Sequence, residues 1–398
     1  MAFTRSRALV PIVYSSVMGD YSLMVIPFIV GAMMAGYGVS PALAGQAVSV
    51  QYFAMAASFF STPWLMRSVS PRHSLGGMLI ALAASNIVCL LGSGAFTLLA
   101  AQACVGFTEG SLMAIAGALA AGLRRPDRAY SAISLAVAGI GATALVTTPM
   151  LISVAGPRAI FAFMAGFSLL GLLFVPLAPD HAAAPAAPSE AAASVKRDHR
   201  DRINSTLTLL SYLLISAGGS GLWVFAQRIG TFHGYSIERT GSYLAIGQVL
   251  GIVGPLLLAL FVSRSRYLPL FVIPSIINIV CAFTFVAPAY GWGFALSATL
   301  VTISFTFLTP CYRTLMAAQD KSGKIVALSI SMFALGSGLS PMVISLVVGS
   351  RPDFGTIGIL CASFYGLALA LIIIPALAAG RVMQADISGS GPRLGEAG

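Results

Sequence analysis

Apolar residues recur along this chain in runs of twenty or more, parted by short stretches of Pro, Gly and charge. A helix needs about 20 residues to cross the hydrocarbon core of a bilayer. Breaks at Pro, Gly and charge clusters predict twelve such helices: about 8–35, 40–66, 72–93, 95–123, 129–154, 157–178, 206–232, 236–263, 266–288, 290–319, 323–349 and 355–379. The composition excludes the main alternative. Of 398 residues, 58% are hydrophobic and 9% charged, whereas ordinary soluble domains carry about 25% charged residues. The chain cannot cover itself with a solvated surface, so its expected solvent is lipid and its fold class an all-α membrane protein.

The net charge of +10 does not point to nucleic acid, because the basic residues lie in the short gaps between apolar runs, where they orient a membrane protein. With the amino terminus in the cytoplasm, that side receives Arg5, Arg7, Arg67, Arg72, Arg124, Arg125, Arg128, Lys196, Arg197, Arg200, Arg202, Arg264, Arg266, Arg313, Lys321, Lys324, Arg381 and Arg393. The other side receives Arg158, Arg228, Arg239 and Arg351. Both termini are therefore expected inside. Arg5 and Arg7 precede an apolar stretch as in a signal peptide, but that stretch runs to about Gly36 and carries Asp20, which reads as a retained first helix. The five cysteines fall inside apolar segments at no metal-like spacing and read as small core residues; no metal site or cofactor is expected.

One gap differs from the rest. From Pro179 to Ser205 the chain turns to Ala, Pro and charge, a polar linker that divides the spans six and six. The expected organisation is a bundle over 1–178, a cytoplasmic linker over 179–205, a second bundle over 206–380 and a disordered tail over 381–398. The two bundles echo each other. Ser134, Gly139 and Gly141 recur 197 residues later as Ser331, Gly336 and Gly338. Pro149-Met150-Leu151-Ile152-Ser153 answers Pro341-Met342-Val343-Ile344-Ser345; Ser40 and Gly45 answer Ser236 and Gly241; Tyr14 answers Tyr212. Repeated halves place a binding site between them and let one rock against the other.

Four ionisable side chains stand inside the apolar runs: Asp20, Glu109, Arg228 and Arg313, on the first, fourth, seventh and tenth spans. A charge at membrane depth costs at least ~2.5 kcal/mol on insertion scales, so one that persists there marks a functional site. Asp20 lies about twelve residues into its span, or ~18 Å along the helix axis.

Twelve spans, a six-plus-six division at a charged linker, both termini inside and related halves resemble the major facilitator superfamily, over residues 8–379. The resemblance implies two pseudo-twofold-related six-helix bundles. It also implies a central cavity lined by the first, fourth, seventh and tenth helices, and contacts between halves made by the second, fifth, eighth and eleventh. The signature loops depart from the family pattern. The segment Ser61–Arg72 keeps basic residues but lacks the loop's Asp and glycines, Gln102 lies where many exporters carry Arg, and no exporter motif surrounds Gly139–Pro149. These departures weigh against a multidrug antiporter.

The expectation is a proton-coupled secondary transporter of a small organic solute, an organic or aromatic anion. It would be a monomer in a bacterial inner membrane, with sodium as the other possible coupling ion. Asp20 and Glu109 would carry proton coupling; the alternative for each is a structural carboxylate bonded to a hydroxyl or an Arg. Arg228 would receive a substrate carboxylate or mark the interface, and Arg313 would bind substrate or snorkel to the cytoplasm. Tyr14, Tyr21, Tyr52, Trp223, Tyr312, Gln46, Gln51 and Gln227 would shape the pocket, with packing as the alternative for each. The competing readings are a drug or metabolite exporter exchanging for protons and, in a different class, a non-transporting membrane sensor. No nucleophile–base pair or metal cluster supports a membrane-embedded enzyme, and no phosphate-binding Gly-x-x-x-x-Gly-Lys-Ser/Thr supports ATP as the energy source.

Overall fold

The structure is a computed structural model that describes residues 8–123, 125–180, 199–261, 267–287, 290–320, 323–348 and 353–387; at 199, 267 and 381–387 it describes the backbone alone. Among the described residues twelve helices run in order: α1 Leu9–Tyr37, α2 Pro41–Ser68, α3 Pro71–Leu91, α4 Ala95–Ala121, α5 Pro126–Ala155 and α6 Ala159–Leu177. Then follow α7 His199–Phe232, α8 Ile237–Phe261, α9 Tyr267–Val286, α10 Gly293–Gln319, α11 Lys324–Val348 and α12 Phe354–Ile387. Among the described residues, eleven of these helices are long and apolar enough to cross a membrane, and α2 falls short.

The expected ends hold to within a few residues at most positions, and local chemistry accounts for them. Ser40, Ser70 and Ser236 accept the backbone N–H groups of Leu43, His73 and Arg239, capping α2, α3 and α8. Gly38 turns α1 off in a left-handed conformation, φ 65°, with its N–H on Met34 O. Two ends depart from expectation. α7 begins at His199, inside the expected linker, and α12 continues to Ile387, into the expected tail. Polar residues can extend a helix past the hydrocarbon wherever water takes over the solvation. The rest of the linker (181–198), the tail from 388 and the basic residues Arg5, Arg7, Arg124, Lys196, Arg197, Arg264, Arg266, Lys321, Arg351 and Arg393 lie outside the described residues.

The helices form two six-helix bundles, α1–α6 and α7–α12, with matching internal contacts. In the first half α2 packs on α4, α1 on α5 and α3 on α6; in the second α8 packs on α10, α7 on α11 and α9 on α12. The halves meet through α2 on α11, α5 on α8 and α1 on α7. The repeat residues explain this symmetry. A Cβ on Gly45 would stand 2.3 Å from Ser345 Oγ and 3.3 Å from Pro341 O; one on Gly241 would stand 2.4 Å from Leu145 O and 2.8 Å from Pro149. Each glycine thus admits the proline-bearing helix of the opposite half, at equivalent seams. The second glycine pairs agree less: Gly336 lies flush against Leu213 O and Gly141 against Met24, but Gly139 faces open space.

Prolines inside the helices free carbonyls, and other helices take several of them. Pro255 interrupts α8 after Leu250, and Thr306 Oγ1 on α10 donates to Gly251 O at 2.6 Å. Pro341 frees Ser337 O, which Ser220 Oγ reaches at 2.8 Å; Pro27 frees Leu23 O, which Trp223 Nε1 reaches across the halves at 2.9 Å.

The contacts between halves named above run from mid-helix to the end away from Leu9. Toward the other end the facing helices are open: of α2 residues 59–68 only Thr62 is buried, and of α5 residues 126–140 only Ala129. The molecule is closed at the far end and open at the end where α1 and α7 begin. Two clamps hold the first bundle. Arg158 donates to Gly36 O at 3.1 and 2.9 Å and to Leu90 O at 3.4 Å and lies over the Tyr37 ring, while Arg72 donates to Ala178 O and pairs with Asp180 at 3.1 Å.

Candidate functional site

α4 brings Glu109 fully inside the first bundle because its neighbours are small. A Cβ on Gly106 would fall 1.9 Å from Gln51 O and one on Gly110 would fall 2.1 Å from Ser58 Oγ, so α2 lies directly on α4. On the other side, a Cβ on Gly19 would lie 2.8 Å from Glu109 O, which seats α1 equally close. Three side chains meet in this wedge. Ser22 Oγ donates to Glu109 Oε2 at 2.7 Å, Gln51 Nε2 donates to the same oxygen at 2.9 Å, and Gln51 Nε2 also lies 2.6 Å from Ser22 Oγ.

The arrangement is short of donors. Glu109 Oε1 and Gln51 Oε1 are both buried without a hydrogen-bond partner, and an unpaired buried polar atom costs about 1–3 kcal/mol. Asp20 stands within electrostatic reach of Glu109 and is partly exposed. Among the described residues, no basic side chain forms an ion pair with either carboxylate; the ion pair found is Arg72–Asp180. Tyr52, buried on the next position of α2, feels both carboxylates and has its hydroxyl beside Ser220 of α7.

Other expected site residues divide between the seam and the helix packing. Trp223 and Gln227 face α1, the first on Leu23 O and the second against Gly31, where a Cβ would meet Gln227 Oε1 at 2.5 Å. Gln46 stands half-buried near the far end of α2. Arg228 is half-buried beside a small cavity at the closed far end, lined by Pro41, Ala42, Phe225, Ser345 and Phe354. Arg313 is exposed toward the open end, next to the Tyr212 hydroxyl. Intramembrane acids thus belong to the first half and bases to the second.

Three tyrosines expected in the pocket make their contacts within their own halves. Tyr14 bonds Phe167 O and lies against Phe167 and Phe174; Tyr21 lies against Phe163 and Phe167. Tyr312, fully buried, pairs with Ser211 Oγ at 2.7 Å and lies against Tyr212 and Phe271. An amphipathic ring satisfies its hydroxyl inside its own bundle, and sequence position alone does not say which side of the helix it takes. Cys104, expected in the core, is exposed. Ser22 and Ser220 were not anticipated; a lone serine in an apolar helix carries little signal, although Pro27 and Pro341 mark Leu23 and Ser337 as free acceptors.

The profile of the Major Facilitator Superfamily matches residues 12–341. No curated protein sequence matches the chain. Among solved structures, a D-xylose-proton symporter is similar at 15% identity and TM-score 0.74, over 92% of this chain and 97% of that one. A peptide transporter in complex with sulfate is similar at 14% identity and TM-score 0.74, over 95% of each chain. A bacterial homologue of the human lysosomal transporter Spinster, inward-facing and unoccupied, is similar at 15% identity and TM-score 0.70, over 99% of each chain. At such identities the likeness is one of fold. The profile spans most of the sequence and the two six-helix bundles repeat the architecture: this multi-pass membrane chain belongs to the Major Facilitator Superfamily.

Proposed function

We propose that the protein is a proton-coupled secondary transporter that moves a small organic solute by alternating access, with Glu109 and Asp20 as the proton-carrying pair. The observation that carries this reading is the donor deficit at Glu109. Among the described residues, two buried oxygens, Glu109 Oε1 and Gln51 Oε1, have no hydrogen-bond partner, and neither carboxylate forms an ion pair. One proton on Glu109 would remove the uncompensated charge and supply a donor where two acceptors lack one. Asp20, partly exposed, would pass that proton to and from the open end. On the orientation set by the positive residues, this end faces the cytoplasm.

The solute we infer is an organic anion with an apolar or aromatic body. Arg313 is a basic side chain set within a membrane-spanning helix and exposed toward the open end, and its planar fork suits a carboxylate. Arg228 would join it only when the far end opens. The second reading, export of a cationic or amphipathic compound in exchange for protons, draws on the unpaired acids themselves, which would attract a cation. The D-xylose-proton symporter supports coupling to protons only by analogy of fold.

The test begins with thermal-shift screening of purified protein against organic acids and cationic drugs, since a ligand of the folded state stabilises it by mass action. A hit then goes into proteoliposomes holding a pH-sensitive dye. Addition of solute should move protons in the wild type. Glu109→Gln should abolish that movement while solute exchange across the vesicle persists, and Arg313→Ala should weaken anion uptake. Proton movement by Glu109→Gln equal to wild type would end the proposal; cation-driven proton release with Arg313 dispensable would favour export.

A further inference from the structure

Each of the two side chains that hold Glu109 has a chain neighbour that touches α7. Ser22 is followed by Leu23, whose carbonyl Pro27 frees and Trp223 Nε1–H reaches at 2.9 Å. Gln51 is followed by Tyr52, whose hydroxyl lies beside Ser220. Ser220 and Trp223 are three residues apart and so share one face of α7. Ser220 in turn donates to Ser337 O of α11 at 2.8 Å. At the next position a Cβ on Gly338 would sit 2.8 Å from Phe53 and 3.0 Å from Tyr52 Cβ. Glu109 is therefore one residue removed, by two independent routes, from the contacts that close the far end.

We propose that Ser22–Leu23 and Gln51–Tyr52 link the proton on Glu109 to the seam, with Tyr52 and Trp223 as positioning residues on the two routes. Protonation turns one carboxylate acceptor into a donor, so the Ser22–Gln51–Glu109 triangle must re-pair. The main chain at Gln51 is pressed against Gly106, so a shift of this residue moves α2 against α4. The adjustment passes along α2 to Tyr52 and along α1 to Leu23, both of which bear on the same face of α7. Packed helices respond to such shifts by switching between arrangements rather than deforming smoothly. The titratable groups facing Glu109 are Asp20 from α1, Tyr52 from α2 and Cys89 from α3; those of α5, Asp127, Arg128 and Tyr130, lie at its opening turns, toward the open end. Asp20 is the neighbour that can shift the response, so it is varied alongside.

This inference rests on the proton reading of Glu109, and the experiment separates the two. Full-length protein in lipid nanodiscs carries spin labels, introduced as unnatural amino acids, at Val39 and Phe232, the far ends of α1 and α7. Pulsed electron spin resonance follows far-end closure with pH. Infrared difference spectra follow the protonated carboxyl, assigned by its loss in Glu109→Gln and compared with Asp20→Asn. In the wild type both readouts should change together. Tyr52→Phe and Trp223→Phe should leave the carboxyl titrating while closure follows it less, loss of the Trp223–Leu23 bond changing the closing constant by about fivefold and loss of the Tyr52 hydroxyl changing it by less. Gly338→Ala should open the far end at every pH while the carboxyl still titrates, at a pH moved by the loss of the closed state. Closure that tracks pH as in wild type in both Tyr52→Phe and Trp223→Phe would overturn the link and leave the proton reading standing. A wild-type carboxyl that does not titrate would overturn the proton reading, and the link with it.

Discussion

Gly106 is the position at which one methyl group should undo the site. Its Cβ would lie 1.9 Å from Gln51 O and 2.6 Å from the carbonyl carbon, and real Cβ contacts essentially never fall below 3.0 Å. In Gly106→Ala α2 and α4 must therefore part by roughly 1 Å, against overpacking costs of about 1–3 kcal/mol. Gln51 Nε2 is 2.9 Å from Glu109 Oε2, so that displacement carries the bond past the limit of useful geometry. A hydrogen bond to a charged group is worth about 1.5–3 kcal/mol. Helix propensity returns about 1 kcal/mol when Gly becomes Ala. The net is a loss of about 1.5–5 kcal/mol. Gly117 lies on the same helix with nothing within 4 Å of its would-be Cβ, so Gly117→Ala should be neutral or slightly stabilising. Denaturant unfolding in one mild detergent, wild type and both variants side by side, measures the difference. If Gly106→Ala unfolds no earlier than Gly117→Ala, α2 does not rest on α4 as described, and the hold on Glu109 loses its basis.

Two further outcomes follow from the ends of the helices. Arg158→Leu removes the bonds to Gly36 O and Leu90 O and the contact with the Tyr37 ring. It should cost about 2–3 kcal/mol and raise amide exchange at the ends of α1 and α3; unchanged exchange there would show the clamp to be idle. The Thr356 hydroxyl, helped by the Thr356 and Gly355 backbone N–H groups, holds the exposed Asp353 carboxyl below its ordinary value. A depressed carboxyl adds order above its unfolded value and loses it as pH falls through the lower folded one. Exchange over the first turn of α12, corrected for intrinsic rates, should rise on acidification in the wild type and respond less in Asp353→Asn. An equal response in both would rule the cap out.

The spans and the six-plus-six division were readable because lipid imposes one requirement on every residue of a run. The repeat was readable through residues whose replacement the packing forbids: Gly45 and Gly241 each lie under the proline-bearing helix of the other half. Position along a helix was readable too, which is why Asp20 and Glu109 stood out. Direction was not. Tyr14 and Tyr21 turn toward α6, and Tyr312 lies between α7 and α9. These helices are apolar on all sides, so the pattern that tells a soluble helix its inner face is missing. Arg228 shows the same limit, since its position along α7 follows from counting while its place at the closed end depends on how the halves lean.

α2 shows how a weakness in the hydropathy pattern can itself carry information. Among the described helices it is the one too polar on average to read as a membrane span, yet it touches both α4 in its own half and α11 in the other. Its polar residues explain both facts. Ser49, Gln51, Ser58 and Thr62 are buried, so the polarity that lowers its mean hydropathy is turned into protein rather than lipid. Ser49 and Ser58 bond their own helix at Gly45 O and Met55 O, whereas Thr62 bonds Ser111 and Gln51 bonds Ser22 and Glu109. A helix shielded on two sides can carry such groups without meeting the cost that lipid would impose. That shielding also makes α2 the element through which a proton in one half can act on the other. Were Gln51→Leu to leave both insertion and the coupling of protons to solute unchanged, the polarity of α2 would serve packing alone.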